Sequence, residues 1–183
     1  GVMLSKGNKY NNLRLVSTMM KFTVSPVVAI ASGINRVSDL KGRRIASGFK
    51  GAPLFKYVTS GALATDNLSY ADVKNVPQVG LVQHWRAFMA GKVDMAIVAA
   101  GSGFAKQMQA KIDGGIKHIS FDKSSAALKR MQKFFPRAEW SIVKPKKGLT
   151  GVLKPTNFVS YDFLLWTHKG LSNDVAYKVA KVM

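Results

Sequence analysis

The chain has 183 residues, 47% of them hydrophobic, which suffices for the core of one good-sized domain or two small lobes and excludes wholesale disorder. It contains no cysteine, so disulfides and thiolate metal sites are excluded. No apolar run reaches the ~18 residues of a membrane span, and no signal peptide is visible at Gly1. A cysteine-free chain fits an extracytoplasmic location.

The charge is strongly positive, because 28 Lys and Arg residues stand against 9 acidic residues and give a formal charge of +19. Such a surface attracts polyanions, anionic membranes or anionic solutes. Most basic residues are scattered, which favours a solubilising surface. The exceptions are two clusters, formed by Lys41, Arg43 and Arg44 and by Lys144, Lys146 and Lys147.

Two segments near the start, residues 13–18 and 24–30, are rich in β-branched residues and predict strands. Pro26 has no N–H to donate, so we expect the second strand to begin at a sheet edge or a bulge. After Gly42 the pattern alternates between short apolar strands and amphipathic helices. It predicts strands at residues 43–47, 73–76, 93–99 and 116–121, and helices at residues 53–63, 80–90 and 104–112.

This alternation predicts parallel βαβ units with right-handed crossovers between about residues 43 and 121. Beyond them we predict a helix at residues 124–135, a basic loop at 144–155 and a strand at 158–167. Ser172 is expected to cap a last helix. In that helix Val175, Val179 and Val182 have the spacing of core residues.

Two Gly-rich loops follow predicted parallel strands and open predicted helices: residues 48–53 (GFKGAP) and 101–104 (GSGF). Free N–H groups and the helix dipole favour a carboxylate or phosphate there, and Lys50 can add a charge-assisted bond. The alternative, a plain βα turn that needs glycine, stays open for both loops, with Ser102 merely capping its helix. The candidate ligand-binding residues are Gly48, Phe49, Lys50, Gly51, Ala52, Gln78, Gly101, Ser102, Gly103 and Phe104.

The remaining polar residues predict no catalytic, metal or cofactor site. Gln78 precedes the helix at residues 80–90 and can reach a ligand from its loop, whereas Gln83 and His84 are interpreted as a solvated polar face. His118 and His168 are isolated in strand contexts, without metal-ligand spacing. No paired carboxylates and no nucleophile elbow are present.

Three further motifs carry a family resemblance: residues 33–45 (GINRVSDLKGRRI), 89–96 (MAGKVDMA) and 164–178 (LLWTHKGLSNDVAYK). In this order and spacing they resemble motifs of the TAXI family of TRAP-transporter solute receptors, from about residue 33 to the end. The resemblance implies an α/β, type II periplasmic-binding-protein fold, in which two βαβ lobes joined by a hinge close on a small solute. It also implies a non-enzymatic, periplasmic receptor that hands glutamate-like amino acids or dicarboxylates to TRAP membrane subunits.

By that analogy, residues 43–121 form lobe two, residues 1–42 a lobe-one remnant and hinge, and residues 122–183 the return into lobe one. Because the family is longer at both ends, we expect a truncated piece with an incomplete lobe one, and we expect a monomer. The family's first loop often carries Ser or Thr hydroxyls, which residues 48–53 lack. Either Lys50 replaces a hydroxyl as the anion anchor or the ligand differs.

Two alternatives remain. The first is a nucleic-acid or other polyanion binder that uses the +19 surface and would lose affinity steeply with salt. Trp85, Trp140, Tyr161 and Trp166 lie near basic residues and could stack on bases, although core packing explains them as well. No nucleic-acid-binding motif is present, so we do not expect a nucleic-acid partner. The second is an enzyme on the same two-lobe fold, for which a clustered acid–base set is missing.

Overall fold

A computed structural model describes residues 9–183 of the protein, and the first eight residues of the predicted lobe-one remnant lie outside the described part. The strands are β1 (Leu13–Ala29), β2 (Arg44–Gly48), β3 (Lys74–Gln78), β4 (Ala96–Val98), β5 (Ile116–His118), β6 (Glu139–Val143) and β7 (Thr156–His168). The α-helices are α1 (Pro53–Ala64), α2 (Leu81–Met89), α3 (Gly103–Lys111), α4 (Ser125–Phe134) and α5 (Asn173–Lys181). Short 3₁₀ helices span Ile30–Ser32, Val37–Leu40 and Tyr70–Asp72.

The main sheet is mixed. β2 and β3 pair in parallel, with α1 as their crossover, and a parallel bridge between Ile45 and Met95 brings the approach to β4 against the other side of β2. β1 pairs antiparallel with both β4 and β5. The resulting order is β3-β2-β4-β1-β5. The predicted parallel βαβ units are therefore present. β4 and β5 also run in the same direction, and β1 lies between them, antiparallel to both.

The two strands predicted before residue 31 form one strand, β1, and Pro26 is buried within it. The expectation of an edge or bulge at Pro26 is wrong. Residues Ser25 to Val27 of β1 pair with β4. Along the same strand, the pairing with β7 ends at Val24 and the pairing with β5 begins at Val27. Proline is tolerated because it lies where β1 changes neighbours.

The first half of β1 pairs antiparallel with β7, from Leu13 opposite His168 to Val24 opposite Val159. We call this pair of segments, residues 13–24 and 159–168, the ribbon. β6, which the sequence pattern did not predict, pairs with the start of β7. Large side chains on both faces of the ribbon are exposed, including Leu15, Met20, Phe163 and Trp166. The ribbon thus extends beyond the packed part of the molecule.

The helices cover both faces of the main sheet. One hydrophobic cluster joins Val58 and Leu63 of α1 and Met131 of α4 to the sheet residues Ile45 and Ile97. A second cluster lies under α2 and α3; it contains Val27, Ala46, Phe88, Val98 and Met108. Because successive strand residues face opposite sides, this division makes a three-layer α/β unit, in agreement with the predicted fold class.

The last helix departs from expectation. Ser172 caps α5, since its Oγ accepts a hydrogen bond from the Val175 amide. The valines predicted to be core residues are not buried: Val175 and Val182 are exposed, and no residue of α5 is buried. The spacing was correct for an amphipathic helix, but in the described chain its apolar stripe has too little surface to pack against.

Candidate functional site

The loops that follow β2, β3 and β4 lie at one edge of the sheet, which we call the carboxyl edge. The parallel register pairs Gly48 with Gln78 at the ends of β2 and β3. The Phe49 amide donates to the Gln78 carbonyl at 2.8 Å, and the Gly51 amide donates to the Val79 carbonyl at 2.8 Å. The first two loops are therefore joined backbone to backbone.

Phe49 has a structural role in the first loop. Its φ of 52° lies in the left-handed region, its side chain is 1% exposed, and its ring contacts those of Phe55 and His84. Its amide is used by Gln78, and the Ala52 amide donates back to the Phe49 carbonyl at 3.0 Å. The predicted row of free N–H groups is therefore wrong for Phe49, Gly51 and Ala52.

Two amides at this loop stay available. Among the described residues, neither the Lys50 amide nor the Leu54 amide in the first turn of α1 donates to a protein acceptor. The Lys50 side chain is exposed beside them, and Gly48 is exposed with a φ of 84°. An anion at this loop would therefore meet Lys50, the Leu54 amide and the positive end of the α1 dipole.

The loop after β4 is shaped by ordinary turn chemistry. The Ser102 amide donates to the Ala99 carbonyl at 3.0 Å, and its Oγ accepts the Ala105 amide at 3.2 Å as the cap of α3. Gly101 and Gly103 are exposed, and Phe104 is half-buried with its ring 4.1 Å from that of Trp85. Ser102 can still donate its hydroxyl hydrogen to a ligand while it caps the helix.

The polar residues of α2 differ from the prediction. Gln78 is half-buried in the joined loops and Gln83 is exposed, but His84 is 1% exposed, so the solvated face predicted for it is wrong. Its Nε2 accepts the Ile97 amide at 3.1 Å, which ties α2 to β4. Burial lowers the pKa of His84 to about 4. The ring is therefore neutral at pH 7, and the residue supports the loops from beneath.

A second histidine, His118, was predicted to be isolated, but it is buried beside a serine. His118 of β5 is 6% exposed, and its Nδ1 lies 2.7 Å from the Oγ of Ser25, which is fully buried in β1. Burial lowers the pKa of His118 to about 4. Only the pairing of β1 with β5 brings these residues together, since they lie 93 positions apart in the chain. No motif at short spacing could have revealed them.

Acidic residues are absent from the three loops at the carboxyl edge. In the unit spanning residues 43–121 the carboxylates are Asp66, Asp72, Asp94 and Asp113. Each lies in a connection from a helix to the next strand, at the opposite edge, which we call the amino edge. Asp122 follows β5 on the carboxyl side, but its carboxylate accepts the amide and hydroxyl hydrogens of Ser124.

Three of the four carboxylates at the amino edge, those of Asp66, Asp72 and Asp94, are engaged by protein groups, whereas Asp113 is exposed and has no such bond among the described residues. Asp94 accepts the Arg44 amide at 2.7 Å and two guanidinium nitrogens of the same arginine, at 2.5 and 3.2 Å. Partial burial raises the pKa of Asp94, but the bonds and charge of Arg44 together outweigh it and hold the pKa below its usual range. Asp66 accepts the Ser38 amide at 2.8 Å. Most carboxylates of this edge are therefore already satisfied by backbone amides or by Arg44.

Within residues 9–183, no group of three His, Cys, Asp or Glu side chains is arranged to hold a metal ion. No helix in that part of the chain has the length and apolar character of a membrane span.

Comparison with known proteins places the chain in a family. It matches the NMT1-like family over residues 1–183, and it belongs to that family. No curated protein matches it. Among solved structures it resembles an ABC transporter periplasmic binding protein from Brucella ovis with glutathione bound, at 12% identity and a TM-score of 0.54; the match covers 98% of this chain and 43% of that one.

Two further matches have lower TM-scores. The periplasmic sulfonate-binding protein SsuA from Methylobacillus flagellatus matches at 18% identity and a TM-score of 0.47, over 94% of this chain and 40% of that one. The arginine-binding protein ArgBP from T. maritima matches at 14% identity and a TM-score of 0.46, over 93% of this chain and 55% of that one. The predicted type II periplasmic-binding-protein fold is confirmed, and the chain spans about half the length of these structures or less. The TAXI assignment is not confirmed, because the family found is NMT1-like.

Proposed function

We propose that the protein is an extracytoplasmic, non-enzymatic receptor for a small organic anion, which it binds at the carboxyl edge. One observation carries the proposal: three helices of nine or more residues begin at this edge, beside joined loops that contain no carboxylate. Helix N-termini and free amides favour negative charge, and an acid-free rim does not oppose it. Lys50 is the nearest cation in the first loop and is proposed as the anion anchor.

The ligand class that we propose is a small carboxylate, with glutamate-like amino acids and dicarboxylates first. The names of the similar proteins refer to glutathione, a sulfonate and arginine. Glutathione and sulfonates carry acidic groups, which agrees with an acid-free site. Arginine is a cation at its side chain, and a receptor that bound it would be expected to place a carboxylate near the ligand.

The division into lobes remains part of the proposal: residues 43–121 form lobe two, and residues 1–42 and 122–183 belong to the hinge and lobe one. The ribbon supports it, because a two-stranded ribbon that is apolar on both faces is marginally stable until other elements cover it. A second lobe built around the ribbon would cover both faces. The solute would then bind between the lobes, which close through the ligand's better contacts with the closed state.

Delivery is proposed to be to a membrane transporter. The motifs at residues 33–45, 89–96 and 164–178 favour TRAP membrane subunits, whereas the name of the Brucella protein refers to an ABC transporter. Uptake in reconstituted vesicles separates the two, because TRAP uptake follows an ion gradient and ABC uptake requires ATP.

The buried Ser25–His118 pair does not make the protein a hydrolase in this proposal. Neither side chain is reachable by a substrate, and no carboxylate among the described residues bonds to the histidine. A nucleophilic serine needs both access and an oriented base.

A thermal-shift panel on the full-length protein tests the function. It includes glutamate, 2-oxoglutarate, other small carboxylates, alkanesulfonates, neutral solutes and an oligonucleotide, each at low and high salt. We expect a shift with a small carboxylate that persists at high salt. A shift with sulfonates or neutral solutes alone would contradict the carboxylate proposal.

A polyanion binder is the second candidate, favoured by the charge of +19. In that case the oligonucleotide would shift the melting temperature at low salt, and the shift would vanish at high salt because binding would depend on counterion release.

A further inference from the structure

The basic segment at residues 144–155, which we call the strap, connects β6 to β7 and is held in a defined shape. The Leu149 amide donates to the Lys146 carbonyl at 3.0 Å, and the Val152 amide donates to the Leu149 carbonyl at 3.4 Å. Gly148 and Gly151, with φ of 90° and 78°, occupy the third position of these two successive turns. A type II turn requires positive φ at that position.

The strap lies against the third loop of the candidate site. The Thr150 amide donates to the Ala100 carbonyl at 3.1 Å, and a methyl carbon of Leu149 lies 3.6 Å from where a side chain at Gly101 would begin. From below, the His118 amide donates to the Gly151 carbonyl at 2.8 Å. These contacts fix the tip of the strap beside the N-terminus of α3.

The strap's charges are unopposed. It carries Lys144, Lys146, Lys147 and Lys154, all exposed, and no acidic residue. The ion pairs found in the described part of the chain involve Lys21, Arg36, Arg44 and Lys178, none of which belongs to the strap. Lys146 and Lys147 lie within three positions of Leu149, the residue that packs on the Gly101 loop.

We propose that the strap forms an additional wall of the candidate site and that Lys146 and Lys147 select solutes with a second acidic group. This inference rests on the proposed anion receptor and makes it more specific. One carboxylate of the solute binds near Lys50 at the first loop. The other is held from the side of the third loop by the strap, so a dicarboxylate is preferred over a monocarboxylate of the same length.

The test compares matched solutes that differ only in the second carboxylate: glutarate with pentanoate, 2-oxoglutarate with 2-oxopentanoate, and glutamate with norvaline. Dissociation constants are measured by calorimetry on the full-length protein, on K146Q/K147Q and on K129Q/K133Q. The last variant removes the same charge from exposed positions of α4, and it controls for general electrostatic attraction. All three proteins are first compared by melting temperature.

We expect the wild type to bind the dicarboxylate of at least one pair about tenfold more tightly or better, as a charge-assisted contact would give. K146Q/K147Q should abolish most of that preference and leave the monocarboxylate within about twofold, while K129Q/K133Q keeps it. Equal binding of both members by the wild type, or an unchanged preference in K146Q/K147Q, would overturn the strap's role and leave the anion receptor intact. If no solute of any pair binds, the proposed function fails and this inference fails with it.

Discussion

The two edges of the main sheet differ in their acidic residues. At the amino edge, Arg44 is paired with Asp94, and Asp66 accepts the Ser38 amide. At the carboxyl edge, Lys50 and the strap lysines have no ion-pair partner among the described residues. In the same part of the chain, unpaired lysines also occur at the amino edge, as at Lys74 and Lys92. The difference between the two edges therefore lies in their carboxylates: most of those at the amino edge are bonded to protein groups and stabilise the fold, whereas the three loops at the carboxyl edge contain none.

The largest expected effect concerns the two histidines that support the carboxyl edge from beneath. Burial lowers the pKa of His84 and of His118 to about 4, from 6.5 in the unfolded chain. The unfolded state therefore binds more protons between pH 6.5 and 4, and stability is lost as pH falls through that window. The loss is at most about 3 kcal/mol for each histidine.

Urea unfolding at pH 7, 5.5 and 4.5 measures this loss. The comparison variant is H84Q/H118N, whose amides keep the acceptor toward Ile97 and the contact with Ser25 but do not titrate. We expect it to be less stable at pH 7 and to show a much flatter pH dependence. An equally steep dependence in the variant would assign the acid sensitivity to the carboxylates instead.

Next in size is the loss of an amino-edge ion pair. Asp94→Ala removes the acceptor of the Arg44 amide and guanidinium, and we expect a loss of about 1.5 kcal/mol after allowance for solvent screening at this half-exposed pair. Denaturant unfolding measures it, and solute affinity should change less than twofold. A large loss of affinity with unchanged stability would reverse the roles assigned to the two edges.

The reciprocal change is made at the carboxyl edge. Lys50→Glu should weaken binding of a small carboxylate about tenfold or more, because it replaces an attractive charge with a repulsive one. Stability should not change measurably, since Lys50 is exposed and unpaired. Lys74→Glu at the start of β3 is the matched control with the same change of charge. Equal weakening in both variants would indicate general attraction and remove Lys50 from the site.

The smallest effect tests the cap at the third loop. Ser102→Ala should cost about 1 kcal/mol of stability, as the loss of an N-cap does. Ser172→Ala removes a cap of the same kind from α5, where Oγ accepts the Val175 amide at 3.3 Å. If both variants lose stability alike and only Ser102→Ala weakens solute binding, Ser102 also contacts the ligand. Identical effects on binding would confine Ser102 to capping.

Most secondary structure could be predicted because its signals are local. Pro53 begins α1, Ser102 and Ser172 cap their helices, and the apolar stripe with Trp85 and Phe88 marks α2. The predictions that failed concern residues whose neighbours in the fold are distant in sequence. Pro26 fits inside β1 only because two other strands meet there, and the pairing of β6 depends on β7.

The candidate site was predictable in position but not in detail. Strand-to-helix loops at one edge follow from the βαβ pattern, so residues 48–53 and 101–104 could be named. The pattern does not reveal which amides are already used, and Phe49 turned from a candidate ligand contact into a core residue. Similarly, the basic loop could be predicted from its composition, but its contact with Ala100 could be seen only in the folded structure.

The ribbon has a consequence for how the chain folds. Its partners, such as Leu13 and His168, lie near opposite ends of the described chain, whereas the contacts between β2, β3 and α1 join near neighbours in sequence. Closing a long loop costs more entropy before any contact repays it, so local units form first. The β2–β3 unit therefore forms early, and the ribbon, with its apolar side chains, pairs only after β7 has been synthesised. Until then those side chains remain exposed to aggregation.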